Sequence, residues 1–223
     1  MPKIELIQGD CMDYLKSYKD KQFSLAIVDP EYGIDAANMT MGSGKNKKYS
    51  KKNWDKNIPT EDYFKQLFRV SSNQIICGGN YFTKYLHPTK SWIFWDKGIY
   101  ADCSFADGEL LWTSFNIVLR VAQIRYKGFL GADKDRIHIT QKPIALYKWL
   151  LTNYAKEGDT ILDTHGGSRS LAVACYDLGF DHVSIELDKD YHEQSKARFD
   201  AHVAKYAPAS EIAVNKEGQV KLF

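Results

Sequence analysis

Short apolar runs of strand length alternate along this 223-residue chain with longer segments of helical periodicity. The strand-like runs fall at residues 4–7, 23–28, 74–77, 91–95, 117–126, 160–162 and 182–185, and the helical patterns at 60–70, 143–154, 168–178 and 190–203. An alternation of this kind predicts an α/β domain, because parallel neighbours need a crossover and the crossover helix covers a sheet face. Residues 105–126 break the rhythm by following strand with strand, which predicts an antiparallel edge. Residues 33–58 form a long connection rich in Gly, Lys and Asn, a length that in compact domains usually serves function. The tail from 208 to 223 predicts a short hairpin turning near Glu217 and Gly218.

Length suits a single domain spanning 1–223, read as a half at 1–137, a second half at 138–207, and the tail. No run approaches a membrane-spanning length, and the first residues carry acids where an export signal needs a basic flank. The expectation is a cytoplasmic protein without membrane attachment. Cys11, Cys77, Cys103 and Cys175 form no CxxC pair, which counts against zinc and for reduced thiols, so no metal is expected.

Two strand ends carry chemistry. The strand ending at Asp163 runs through Thr164, His165, Gly166, Gly167 and Ser168 into a helix, and the next strand ends at Glu186. A strand, a glycine turn and a helix form the usual place for a nucleoside cofactor in a parallel sheet. An acid about 20 residues on can accept ribose hydroxyls. A plain helix-start glycine explains the turn equally well by itself. The strand at 23–28 delivers Asp29, Pro30, Glu31 and Tyr32. Proline ends the strand and leaves a carbonyl beside the Asp29 carboxylate, so two acceptors can hold an aromatic amine whose lone pair is otherwise delocalised. Tyr32 adds a ring on which a flipped base could stack. An ordinary turn explains the same tetrapeptide.

Together the segments resemble the amino-group DNA methyltransferases of the beta group, of a restriction-modification or phage kind, in which the catalytic half precedes the cofactor half. Besides Asp29 to Tyr32 and Asp163 to Ser170, four ordered segments match: Gly9-Asp10-Cys11, Gly78 to Phe82, Trp95-Asp96-Lys97, and His138 to Pro143 with its Thr140, Gln141 and Lys142. The resemblance covers nearly the whole chain and implies a Rossmann-like methyltransferase fold using S-adenosyl-L-methionine. It implies Asp29 and Pro30 as holders of the target amine and Tyr32 as the stacking ring. Asp10 would lie at the cofactor's adenine and Glu186 at its ribose. Asp163, Gly167, Ser168, Thr140, Gln141 and Lys142 would surround the methionine end, and Cys11, His165 and Asp29 itself would be further cofactor contacts.

Four positions depart from the family pattern: Glu31 replaces the usual second proline, Thr164 and His165 stand where Pro and Phe are common, and Arg169 replaces a glycine. Asn80, Tyr81 and Trp95 read as turn and core residues. His138 and His165 read as structural histidines, since the amine's proton becomes acidic only after transfer and this chemistry needs no strong base.

Charge separates the chain. Residues 45–56 carry net +5 and residues 120–142 net +4 within an overall +2, while 157–193 is acidic. The acidic stretch suits a cationic cofactor, and the basic stretches suit a phosphate backbone. Lys47, Lys48, Lys51, Lys52, Arg120, Arg125, Lys127 and Arg136 are therefore the expected contacts to double-stranded DNA, with a solvated loop as the alternative for the lysine run. Further partners left open are a second copy of the chain and a cognate restriction enzyme. The expected reaction is methylation of adenine N6. Cytosine N4, an RNA or protein substrate for the same fold, and a non-catalytic DNA-binding module remain the alternatives.

Overall fold

In the computed structural model the described residues are 1–34, 57–98, 106–126, 137, 140–206, 212–214 and 220–222. The main elements are β1 (Ile4–Gln8), α1 (Cys11–Ser17), β2 (Phe23–Val28), α2 (Glu61–Val70), β3 (Ser71–Cys77), β4 (Trp92–Asp96), β5 (Gly108–Thr113), β6 (Arg120–Gln123), α3 (Ile144–Tyr154), β7 (Thr160–Asp163), α4 (Ser170–Leu178), β8 (Asp181–Glu186) and α5 (Lys189–Tyr206). Eight strands form one sheet in the order β1-β8-β7-β2-β3-β5-β4-β6. β9 (Ile212–Val214) and β10 (Val220–Leu222) pair antiparallel, as expected of the tail, and the turn between them lies outside the described residues.

Side-chain alternation on β2 explains the two covered faces. Leu25 and Ile27 pack with Leu146, Leu150 and Leu171 of α3 and α4, while Ala26 and Val28 pack with Leu15, Phe64 and Leu67 of α1 and α2. Each such buried aliphatic side chain contributes about 1.5–3 kcal/mol of transfer free energy. Thr60 caps α2 as expected, its hydroxyl accepting from the Tyr63 N–H at 3.4 Å, with Glu61 and Asp62 complementing the dipole.

The antiparallel element is β5 alone. It pairs antiparallel with both β3 and β4, whereas β6 at the sheet edge runs parallel to β4. Residues 117–119, expected within a strand, precede β6 as an irregular segment. The reversal has a consequence for function, because it brings the first residues of β5 to the edge where every other strand ends. The order β1-β8-β7-β2 lines up Asp10, Glu186, Asp163 and Asp29 along that edge. Between β7 and β2 the crossovers diverge, β2 to β3 one way and β7 to β8 the other, and such a switch point opens a crevice.

Candidate active site

Asp29 follows β2 and is tied through one oxygen only. Its Oδ1 accepts from the Lys142 ammonium at 2.5 Å and from the Tyr32 hydroxyl at 2.8 Å, while Oδ2 takes no hydrogen bond from the described residues. The Lys142 ammonium also lies 3.0 Å from the Tyr32 hydroxyl and 3.2 Å from Glu109 Oε2, and Lys97 reaches Glu109 Oε1 at 2.8 Å. Two carboxylates and two ammonium groups thus close a neutral cluster. Burial disfavours the charge on Lys142, but Asp29 and Glu109 outweigh it and keep the ammonium protonated. Burial likewise opposes ionisation of Glu109, yet Lys142 and Lys97 hold its carboxyl down to about 2. Burial and the neighbouring Asp29 and Glu109 push the Tyr32 phenol well up, so it stays a neutral donor.

Lys142 was expected at the methionine end of a cofactor. Its ammonium is engaged by the Asp29 and Glu109 carboxylates, because α3 starts just after Pro143 and aims the preceding residue across the end of β2 and the start of β5. Gln141 is buried beside it, its carbonyl accepting from the Tyr126 hydroxyl at 2.6 Å, and Thr140 is exposed. Pro30 is buried directly after Asp29. Glu109 escaped the sequence reading: it opens a reversed strand, and its register opposite Trp95 of the Trp95-Asp96-Lys97 segment is the only link that would have exposed it.

The Tyr32 ring packs on the backbone of Gly78, where a Cβ would approach within 2.4 Å, and Gly78 adopts the left-handed φ of +63°. Its stacking partner is Tyr81, with centroids 4.8 Å apart and planes 14° apart. Tyr81, read from sequence as a turn or core residue, is 42% exposed. Trp95 is core, as expected.

Beyond the switch point lies the second half of the site. Asp163 ends β7, its Oδ1 accepting from the His165 N–H at 3.0 Å and its Oδ2 from the Ser184 hydroxyl at 3.3 Å. Burial pushes its carboxyl up to about 6, partly countered by the His165 N–H and Arg169. Glu186 Oε2 accepts from the Gly167 N–H at 2.7 Å and Oε1 from the Asp188 N–H at 2.9 Å, which holds both oxygens rigidly over the glycine turn. Asp10 caps α1 through the Met12 N–H at 2.8 Å and is exposed at the end of β1. Cys11 is half-buried, and burial with Asp10 and Glu31 nearby pushes its thiol up to about 12, leaving it inert. Ser168 is buried, its hydroxyl paired with that of Ser170 at 3.0 Å.

Arg169, the cation in a glycine's place, does not enter the crevice. It sits at φ +60° and folds its fully buried guanidinium beneath the turn, donating to the Ser184 hydroxyl and, at 3.1 Å, to the Ile7 carbonyl. A Cβ on Gly166 would come within 2.1 Å of that guanidinium, so the glycine is required for this packing. Ser184 then relays support to Asp163. The departure strengthens the turn from below.

Of the expected phosphate contacts, Arg120 and Arg125 are described, and both are exposed. Arg125 lies past the carboxyl end of β6, on the site's side of the sheet, with its stem near Gly98. Arg120 starts β6 and acts electrostatically on Tyr154 at the far end of α3, so it is not brought to the site. Lys47, Lys48, Lys51, Lys52, Lys127 and Arg136 lie outside the described residues, as does His138.

The carboxylates of Asp10, Glu186 and Asp163 at adjoining strand ends form an acceptor set whose charge fits a cationic nucleoside, and the Asp29-Pro30-Glu31-Tyr32 segment stands on the other side of the switch point. Fold and site together define a Rossmann-like methyltransferase of the S-adenosylmethionine-dependent class. Residues 18–197 match the DNA methylase model for amino N6 and N4 enzymes, and the chain belongs to that family, in its beta group. It is an amino-group DNA methyltransferase. The Type II methyltransferase M.HpaI of Haemophilus parainfluenzae is 25% identical, the alignment covering 88% of this chain and 74% of the relative. The Type II methyltransferase M2.MboI of Moraxella bovis is 20% identical over 87% and 86%. Among solved structures, the M1.HpyAVI–SAM complex aligns with a TM-score of 0.57 at 18% identity over 89% and 100%. The cytosine-N4-specific PvuII DNA methyltransferase aligns with 0.59 at 13% identity over 86% and 84%.

Proposed function

We propose that this enzyme methylates the 6-amino group of adenine in double-stranded DNA. The observation that carries the reading is the division of labour on Asp29: Oδ1 is fixed by Lys142 and Tyr32, which leaves Oδ2, without a hydrogen bond from the described residues, as the acceptor for an amine N–H. S-Adenosylmethionine supplies a methyl group on a cationic sulfur. Asp29 and the Pro30 carbonyl would hold the amine's hydrogens and free its nitrogen lone pair to take the methyl, the sulfur keeping the electron pair of its broken S–CH3 bond and leaving as a neutral thioether, and the methylated amine losing its extra proton to solvent. The ammonium of Lys142 holds the Asp29 carboxylate in place, so little reorganisation is needed when positive charge develops on the amine. Asp10 and Glu186 serve the adenosine end of the cofactor. Asp163 would serve the methionine end, with His165, Gly167, Ser168, Thr140 and Gln141 around it, while Lys142 is committed to Asp29 and Glu109. Tyr32 carries the flipped base, and a purine offers it the larger face.

Arg125, with the lysines of 45–56, Lys127 and Arg136, binds phosphate, and Arg120 contributes only if the duplex reaches the far end of β6. The Type II naming of both relatives supports a restriction-modification setting in the cytoplasm, with a cognate endonuclease as a partner. None of the described helices is long and apolar enough to cross a membrane. Cytosine N4 is the second reading, favoured by the cytosine-specific fold neighbour. Incubation with methyl-labelled cofactor and duplex DNA, followed by digestion to nucleosides and mass spectrometry, separates the two. 6-Methyladenine supports the proposal, and 4-methylcytosine alone overturns the choice of base.

A further inference from the structure

Three of the four positions that depart from the family pattern meet in space. Tyr63, on the first turn of α2, places its hydroxyl 2.7 Å from Thr164 Oγ1. Thr164 Oγ1 lies 2.9 Å from His165 Nδ1, and His165 Nε2 lies 3.3 Å from Glu31 Oε2. Tyr63 and Thr164 are almost wholly buried, and the Tyr63 ring meets the imidazole edge-on at 5.3 Å. These contacts link the loop bearing Asp29 and Pro30 to the loop bearing Asp163 and Gly167. Where proline and phenylalanine would stiffen each loop separately, this protein joins them.

We propose that Glu31 and His165 are positioning residues whose proton-dependent link sets the spacing between the amine acceptor and the cofactor turn. The proposal rests on the methyltransferase reading given above. The groups facing His165 are Glu31 from the β2 loop, Asp163 from β7 and Glu186 from β8, with the neutral phenol of Tyr63 from α2, itself beside the Cys11 thiol of α1. Burial disfavours the imidazolium, but Glu31 and the other acids outweigh it and raise its affinity for a proton. With His165 neutral, hydrogen bonds can run from Tyr63 through Thr164 into Nδ1, and Nε2 donates to Glu31. With His165 protonated, Nδ1 donates to Thr164 and the order reverses, while the bond to Glu31 gains charge. The link is therefore strongest below the raised pKa of His165 and weakens as pH rises through it.

The test is the pH profile of methyl transfer to DNA from pH 5.5 to 9, with cofactor binding followed by calorimetry over the same range. Wild type, Glu31→Gln, His165→Gln and Tyr63→Phe are compared. Wild type should lose kcat on the alkaline side. Glu31→Gln and His165→Gln should flatten that limb and lower kcat by about fivefold at pH 6.5, as expected for one charge-assisted hydrogen bond, with the KM for DNA unchanged. Tyr63→Phe keeps the buried ring and should shift the limb while the protein melts normally. A limb that survives in both Glu31→Gln and His165→Gln, with kcat within twofold of wild type, overturns the proposal. If wild type transfers no methyl to DNA, the functional reading fails by itself. The link is then decided by cofactor binding, whose change on the alkaline side, above the range in which Asp163 titrates, must disappear in His165→Gln for the proposal to stand.

Discussion

Lys142 sets its ammonium 2.5 Å from Oδ1 of Asp29, spanning 113 positions of sequence to join the segment before α3 to the end of β2. Its side chain is only 4% exposed, so the pair works in a medium where an unpartnered charge is costly. Lys142→Met should leave Asp29 without its counter-charge, with Lys97 on Glu109 as the one ammonium left in the cluster. Methyl transfer should fall roughly 100-fold, comparable to loss of one preorganised electrostatic group, and stability should fall by up to about 3 kcal/mol. Single-turnover kinetics and denaturant melts check the two effects, and cofactor affinity within threefold of wild type locates the damage on the amine side.

Glu109 makes the cluster pH-sensitive at the acid end. Its folded-state pKa, about 2, lies below the ordinary 4.5, so its contribution to stability is present above pH 4.5 and is lost as pH falls toward 2. Glu109→Gln should be destabilised by on the order of 3 kcal/mol at pH 7, and the gap to wild type should close on acidification. Thermal melts from pH 2 to 7 measure it.

Asp163 carries the opposite sign. Its pKa is raised from 3.8 to about 6, so the protein is favoured below pH 3.8 and loses that contribution as pH rises through 6. Asp163→Asn should therefore melt higher than wild type at pH 8, by about 1–3 kcal/mol in stability, and the advantage should vanish toward pH 4. Cofactor affinity should move the other way, rising through pH 6 in wild type, where the carboxylate meets a cation, and staying flat and weak in the variant. Calorimetry across that range reads both.

Tyr81 stacks on Tyr32, so a base carried on Tyr32 in the proposed way would have to part the two rings or displace Tyr81. Tyr81→Ala should raise the KM for DNA several-fold with cofactor binding intact, whereas Tyr81→Phe should resemble wild type, because the ring and not the hydroxyl does the stacking. Steady-state kinetics on duplex DNA distinguish them.

The strand ends and the helix starts were legible because their signals are local: proline stopping β2, threonine capping α2, glycines beside β7. Two features were not. Glu109 looks like any acid of the strand-after-strand stretch 105–126 until β5 is seen to run backwards between β3 and β4. Lys142 sits in the expected motif, yet only the packing of α3 shows that it faces Asp29 and not the glycine turn. Arg169 and Glu31, each a local breach of pattern, make sense only through partners far away in sequence, Ser184 and Ile7 for one and His165 for the other. α1 went unread because its seven residues are too few to show a helical period.

Asp29→Asn gives the most direct test of the central claim, because it keeps the shape of the residue and removes the charge that Lys142 and the amine share. With methyl-labelled S-adenosylmethionine and duplex DNA, the account predicts transfer reduced roughly 1,000-fold or more while the cofactor dissociation constant measured on the same preparation stays within threefold of wild type. Transfer at a tenth of the wild-type rate or better would contradict it.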